Sequence, residues 1–191
     1  QQHGHMEAVG YDLYCKMLNE AVKAQKGEIA ETPFDTTLDI EVDAFIPPAY
    51  IPNEYQKLDI YKRIACVEND AAGDEMLDEL IDRFGEPPRC VQNLLSIARQ
   101  KARAHSLYVT EITQKGQTLR IVLYGQAPVE PLEIPRFVER FAGAVLFVPD
   151  RESPSFLYKM DYNSRKKIDA LGAVKQFLGE MDILYVKNCK M

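Results

Sequence analysis

Much of the equipment of an enzyme is missing from this chain of 191 residues. It has no G-x-x-x-x-G-K-[ST] or G-x-G-x-x-G stretch, which excludes the usual cradles whose backbone N–H groups hold phosphates. It also lacks a G-x-S-x-G elbow and an H-E-x-x-H helix, the carriers of serine-hydrolase and zinc-protease chemistry. Histidine is scarce: His3 and His5 sit at the extreme N-terminus, and His105 falls at a helix end, where it reads as a capping or solvated residue. A Cys–His or Ser–His nucleophile pair would have to be assembled across long separations. The four cysteines, Cys15, Cys66, Cys90 and Cys189, form no C-x-x-C pair. They read as reduced, mostly buried thiols rather than a closed zinc site. No apolar run approaches the roughly 18 residues of a membrane span, so no membrane partner is expected. There is no signal-peptide pattern either, and the expected location is cytoplasmic. The chain opens on Gln1 rather than Met and reads as part of a longer polypeptide. Cations are in deficit, with a net charge of −6, which argues against general affinity for nucleic acid.

What is present is globular: 46% apolar and 27% charged, enough for one ordinary domain or two small ones. Val9, Leu13, Met17 and Ala21 recur at helical spacing within 6–26, and Gly27 is placed to end that helix. Leu38, Ile40, Val42, Ala44 and Ile46 alternate with acids as a half-buried strand, stopped by Pro47 and Pro48. Asn53 is placed to cap a helix with Tyr55, Leu58, Tyr61, Ile64 and Ala65 on one face. A helix over 72–84 buries Met76, Leu77, Leu80, Ile81 and Phe84 and ends at Gly85. A third places Val91, Leu94, Leu95, Ala98 and Ala102 inward and ends near His105. Beyond it the chain changes character, to a hairpin of 107–112 and 118–124 across Gln114-Lys115-Gly116 and a short helix near 133–142. Strands at 144–148 and 156–160 follow, and Asn163 or Ser164 caps a last helix. Elements in blocks rather than strict alternation predict an α+β fold, a helical first half and a mixed second half packed as one compact domain. The softest joint is near 105–107.

Acids carry the chemical signal. Asp39, Glu41 and Asp43 share one strand face about 7 Å apart, which reads either as a wetted face or as a bridge for a divalent ion. Between 68 and 86 stand Glu68, Asp70, Asp74, Glu75, Asp78, Glu79, Asp82 and Glu86 against a single base, Arg83, so the rest of the chain is close to neutral. Glu75, Asp78, Glu79 and Asp82 fall at i, i+3, i+4 and i+7, one stripe beside the apolar face. Like charges at these spacings repel, and Asp82 in the last turn also opposes the helix dipole. A solvated face accounts for such a stripe, and so does a partner whose arginines bind carboxylates in pairs. Cations elsewhere, Arg99 with Arg103 and Arg165-Lys166-Lys167, lack interleaved aromatics and make a poor nucleic-acid surface.

Spaced segments of the first 105 residues resemble a family. They are Gln2 through Tyr14, Val42 through Pro52, Tyr61-Lys62-Arg63-Ile64, and Glu79-Leu80-Ile81-Asp82-Arg83-Phe84-Gly85. They are similar to the C-terminal domain of bacterial transcription-repair coupling factors, multidomain ATP-driven DNA translocases that remove stalled RNA polymerase and recruit excision repair. The resemblance implies a linker and helix over 1–27, with Gln2 and Gly4 as a remnant of the translocation motif, and a regulatory domain over 28–191. It implies no ATPase activity and no cofactor in this piece, whose motor lies upstream; RNA polymerase and DNA are met by other domains of the parent. The implied role is docking on the parent's UvrB-like N-terminal module, which masks the UvrA-binding surface and restrains the motor. The implied contacts are Glu79 and Asp82, with Arg83, Glu75 and Asp78 around them. Two other readings stand beside it: a module for another repair or transcription partner, and a metal-dependent enzyme using Asp39, Glu41 and Asp43.

Overall fold

Two asparagines start the first two helices. In the computed structural model, which describes residues 33–162 and 168–185, Asn53 Oδ1 accepts from Gln56 N at 3.0 Å and opens α1, Glu54–Ala65. Asn69 Oδ1 accepts from Ala72 N at 2.9 Å and opens α2, Asp70–Phe84. Gly85, at φ 83°, closes α2 by donating its N–H to Ile81 O. Pro87 and Pro88 break the chain before α3, Arg89–Ser106. The expected helix at 6–26, Gln2, Gly4, Cys15, Cys189, both proposed caps at 163 and 164 and the basic run 165–167 lie outside the described residues.

The described residues divide into two compact units, one of residue 33 with 42–102 and one of 34–41 with 103–162 and 168–185, the boundary falling within α3. In the first unit α1, α2 and the front of α3 bury Ile60, Ile64, Met76, Leu80, Val91, Leu94 and Ala98 together with Ile46 and Ile51. Burial of this stripe is the driving term, about 1.5–3 kcal/mol for each large aliphatic side chain. Polar ties fix its geometry. Ile46 N donates to Tyr61 Oη at 2.7 Å, and Tyr50 Oη donates to Gly85 O at 2.9 Å, holding the end of α2.

The α1 face differs from its expected one. Lys57, Ile60, Tyr61 and Ile64 are buried, whereas Tyr55 is 87% exposed and Leu58 is exposed too. Tyr61 and Ile64 are common to the expected and the observed face; Lys57 and Ile60 take the places expected for Tyr55 and Leu58. Lys57 lays its stem along the core and sends Nζ to Glu54 Oε1 at 2.9 Å. Ile81 is likewise exposed instead of buried, because it stands about 100° around the helix from Leu80. Cys66 is exposed rather than buried, and Cys90 half-buried.

The second unit holds a five-stranded mixed sheet in the order β1-β2-β3-β5-β4. Its strands are β1 (Thr37–Asp39), β2 (Val109–Lys115), β3 (Thr118–Leu123), β4 (Val145–Val148) and β5 (Ser155–Lys159). β1 runs parallel to β2 and the other neighbours are antiparallel. Lys115 pairs with Thr118, so the hairpin turns on Gly116 and Gln117, one residue later than the spacing suggests, with Gly116 at φ 57°. The strand expected over 38–46 pairs only at 37–39. Beyond it the burial still alternates, but Glu41 N donates to Gln114 Oε1 at 2.8 Å instead of to a strand. α4, Ile134–Glu139, follows a 3₁₀ turn, and α5 spans Ala170–Glu180. α5 is capped by Asp169, whose Oδ1 accepts from Gly172 N at 2.6 Å. Phe137, Phe156 and Phe177 lie 5.1–5.5 Å apart, edge to face, and are fully buried. His105 is half-buried in this unit, its Nδ1 3.0 Å from Thr36 Oγ1 and its ring 4.7 Å from Phe34, so it is packed rather than solvated.

Arg99 of α3 crosses α2 at Gly73, where an added Cβ would stand 2.4 Å from Nε, and reaches Asp74 at 2.8 Å. Glycine in a helix normally costs about 0.5–1 kcal/mol relative to alanine. Gly73→Ala is therefore expected to lower the thermal midpoint in the native background and to raise it once Arg99→Ala has cleared the space. Thermal unfolding of the two single variants and the double variant checks this.

Candidate docking face on the acidic helix

The acids of α2 sort themselves by angle around the helix. Asp74 and Asp70 lie on one border of the buried stripe of Gly73, Met76 and Leu80, and Arg99 serves both, at 2.8 and 3.9 Å. Glu79 lies on the other border. Arg63 of α1 donates both terminal nitrogens to its two oxygens, and Arg83, one turn on, donates Nη1 to Oε1 at 2.8 Å. The Arg83 guanidinium also rests 4.9 Å from the centroid of the Phe84 ring. Between these borders stand Glu75, Asp78 and Asp82, all exposed, with no ion pair among the described residues. Their spacing of i, i+3 and i+7 puts them within about 60° of one another around the axis. The unpartnered charge therefore forms one line, with the exposed Ile81 beside it.

The predicted site residues are thus not equivalent. Glu75, Asp78 and Asp82 have no ion pair among the described residues, whereas Glu79 is already bonded by both Arg83 and Arg63. Sequence reasoning gave Arg63 no role. It lies on another helix, sixteen positions from Glu79, where helical periodicity has no reach; the only signal was its place in the Tyr61–Ile64 segment.

Three donated bonds hold the Glu79 carboxyl down from the ordinary 4.5 to about 2, the Arg63 bonds being the larger cause and Arg83 the second. A carboxylate whose folded value is depressed contributes stability above its unfolded value and loses it as pH falls toward the folded one.

A hollow of about 190 Å³ between α1 and α2 is lined by Arg63, Cys66, Val67, Ala72, Glu75, Met76 and Glu79. It is smaller than the roughly 300–1,000 Å³ of ligand clefts. Asp39, Glu41 and Asp43 are exposed, and among the described residues no group of three or more His, Cys, Asp or Glu is placed to hold a metal ion. The cations Arg99 and Arg103 are taken up by Asp74 and Asp182, the latter at 2.7 Å. No helix among the described residues is long and apolar enough to cross a membrane.

Comparison with known proteins bears on the fold and the family. Residues 40–134 match the TRCF domain model. The transcription-repair-coupling factor of Bacillus subtilis is 41% identical over 131 residues, 68% of this chain and 11% of that protein. The Staphylococcus aureus factor is 37% identical over 150 residues, 77% of this chain and 12% of that protein. The chain thus spans about a tenth of the length of these relatives. A solved C-terminal domain of a transcription-repair coupling factor shares the fold, with a TM-score of 0.62 over 79% of this chain and 94% of that one at 22% identity. The α+β fold is as expected.

Glu79→Gln is expected to lower stability at pH 7, with the deficit shrinking between about pH 4.5 and 2 and vanishing below that. Acid unfolding of the variant beside the parent chain, at low salt because Glu79 is partly exposed, checks the sign. By sequence and fold together, the chain belongs to the TRCF-domain family, the C-terminal domain of transcription-repair coupling factors.

Proposed function

We propose that this chain is a non-catalytic regulatory domain that docks, through the acidic face of α2, on the UvrB-like N-terminal module of its parent translocase. Docking masks the surface that binds UvrA and restrains the motor ATPase; RNA polymerase and DNA are engaged by other domains of the parent, in the cytoplasm. The observation that carries this reading is the line of Glu75, Asp78 and Asp82, exposed and without an ion pair among the described residues, on a helix tied down by its neighbours. Asp82 lies in the last turn, where the helix dipole already opposes a negative charge. Arginines on a partner supply the compensation that the described residues do not.

A polar, electrostatic interface suits a latch that must open, because such contacts govern association and specificity more than raw affinity. Tethering within one polypeptide supplies the effective concentration that a modest contact needs. Opening is then a shift of population toward the undocked form when polymerase or DNA is engaged.

A second reading has one observation in its favour. β4 is an edge strand of the sheet, and its Leu146 is 62% exposed, an apolar edge open to some other protein.

Titration of this chain against the separately made N-terminal module, at about 50 and about 300 mM salt, separates the readings. The docking face predicts binding that weakens with salt and falls about tenfold or more on Asp78→Lys with Asp82→Lys. Binding that is indifferent to salt and to both substitutions belongs to an apolar surface such as the β4 edge.

A further inference from the structure

The two edges of the sheet are finished differently. β1 is three residues long and ends on the exposed Asp39, and beyond it Gln114 Oε1 takes Glu41 N. Short length and charge are the usual guards of an edge. β4 has no such guard: 144–148 is apolar throughout, and among the described residues no strand lies on its outer side. The register fixes which groups it turns outward. Lys159 N donates to Ala144 O at 2.8 Å and Leu146 pairs with Leu157, so Ala144, Leu146 and Val148 aim their backbone groups at β5. Val145 and Phe147 therefore aim theirs at the open side. Gly143, at φ 90°, precedes this stretch, and Pro149, which has no N–H, ends it. An added strand has only Val145 and Phe147 to bond, and a second β4 running antiparallel meets them in full. With Leu146 opposite Leu146, Val145 of each copy exchanges both bonds with Phe147 of the other. We infer that β4 is a self-pairing edge: two copies of this chain join antiparallel through Val145 and Phe147, with a two-fold axis at Leu146.

The side chains match in the same register. Opposite residues that exchange no bonds stand about 4.5 Å apart between Cα atoms, the closest approach in a sheet. Leu146 of each copy takes that place, Ala144 and Val148 face each other on either side of it, and Leu157 of each β5 widens the strip. The exposed Leu146 and Val148 leave water, and no charge enters the ladder. On the opposite face Phe147, its ring centroid 5.0 Å from that of Phe156, meets Val145 of the second copy. One axis thus satisfies every outward donor and buries the apolar strip, the self-complementarity that a symmetric pair requires. The contact is a single strand pair, smaller than the roughly 1,200–2,000 Å² of stable interfaces, so it is weak, with a dissociation constant on the order of 0.1 mM. The inference goes beyond the docking reading and stands whether or not α2 docks.

Sedimentation equilibrium of this chain from about 5 to about 500 µM reads the association. Self-pairing predicts a mass close to the monomer at the low end that climbs toward twice that value at the high end. Asp78→Lys with Asp82→Lys leaves the climb unchanged, which separates it from any contact of the acidic face. Leu146→Lys, at an exposed site, sets two cations opposite each other and weakens the association about tenfold or more, and Leu146→Glu does the same with two anions. Circular dichroism shows that each variant is folded. An equal mixture of the Leu146→Lys and Leu146→Glu chains recovers an association that neither shows alone, because the register centred on 146 puts the two charges opposite. A native chain that stays monomeric throughout leaves the edge to some other strand and overturns the inference. Association that survives Leu146→Lys, or a mixture that pairs no better than its parts, overturns it as well. Failure of the N-terminal module to bind, by contrast, counts against the docking reading alone.

Discussion

Arginines from both neighbouring helices decide how α2 can be used. A helix with so many acids gains nothing from its own side chains at their native spacing, because carboxylates three and four apart repel. Arg99 from α3 settles one border of the buried stripe and Arg63 from α1 the other, with Arg83 of α2 itself added to the second. Both borders are therefore ion-paired where α2 meets α1 and α3. Between them the outward line is left without an ion pair among the described residues, and that line is a consequence of packing as much as of composition. The passage of Arg99 across Gly73 belongs to the same constraint, since a side chain there would push the guanidinium off Asp74. A small residue in the interior of a helix, usually a weakness, is here the opening through which an ion pair reaches its partner.

The second unit is built on different physics. Its core is aromatic, with Phe137, Phe141, Phe156 and Phe177 meeting edge to face beneath the sheet, and its charges are spent on pairs such as Arg103 with Asp182 and Arg140 with Glu180. Among its described residues nothing repeats the unpaired line of α2. Tyr108, at φ 59°, holds a conformation that favours glycine, and its ring lies 5.9 Å from that of Tyr185. Burial and the nearby Tyr108 and Asp182 hold the Tyr185 hydroxyl firmly protonated, and it donates to Leu107 O. That bond ties the end of the described chain back to the start of the sheet.

The helices were legible because their signals are local. Asn53 as a cap, Gly85 as a stop and the Pro87-Pro88 break each act within a turn or two, and the sequence displays them directly; the Asn69 cap was missed, and α2 starts at Asp70 rather than 72. The faces were less legible. Tyr55 and Leu58 look like core by composition, but Tyr61 and Ile64 fit either of two adjacent stripes, and the core takes the one with Ile60 and Lys57. The strand at 38–46 shows its alternation in burial, yet pairing depends on where a partner strand ends, and there Gln114 takes the backbone donor. The site divides in the same way. The stripe of Glu75, Asp78 and Asp82 follows from helical spacing alone. That Glu79 is engaged follows only from Arg63, contributed by another helix.

The central claim is the proposal that those three carboxylates meet the partner. Carbodiimide labelling of carboxyl groups, read by mass spectrometry on this chain with and without the N-terminal module, tests it residue by residue. The account predicts that Glu75, Asp78 and Asp82 label readily in the free chain and become protected on addition of the module. Glu79, held by Arg63 and Arg83, labels slowly in both states. Unchanged labelling of the three acids while the module is bound, or protection confined to Glu79, would contradict it.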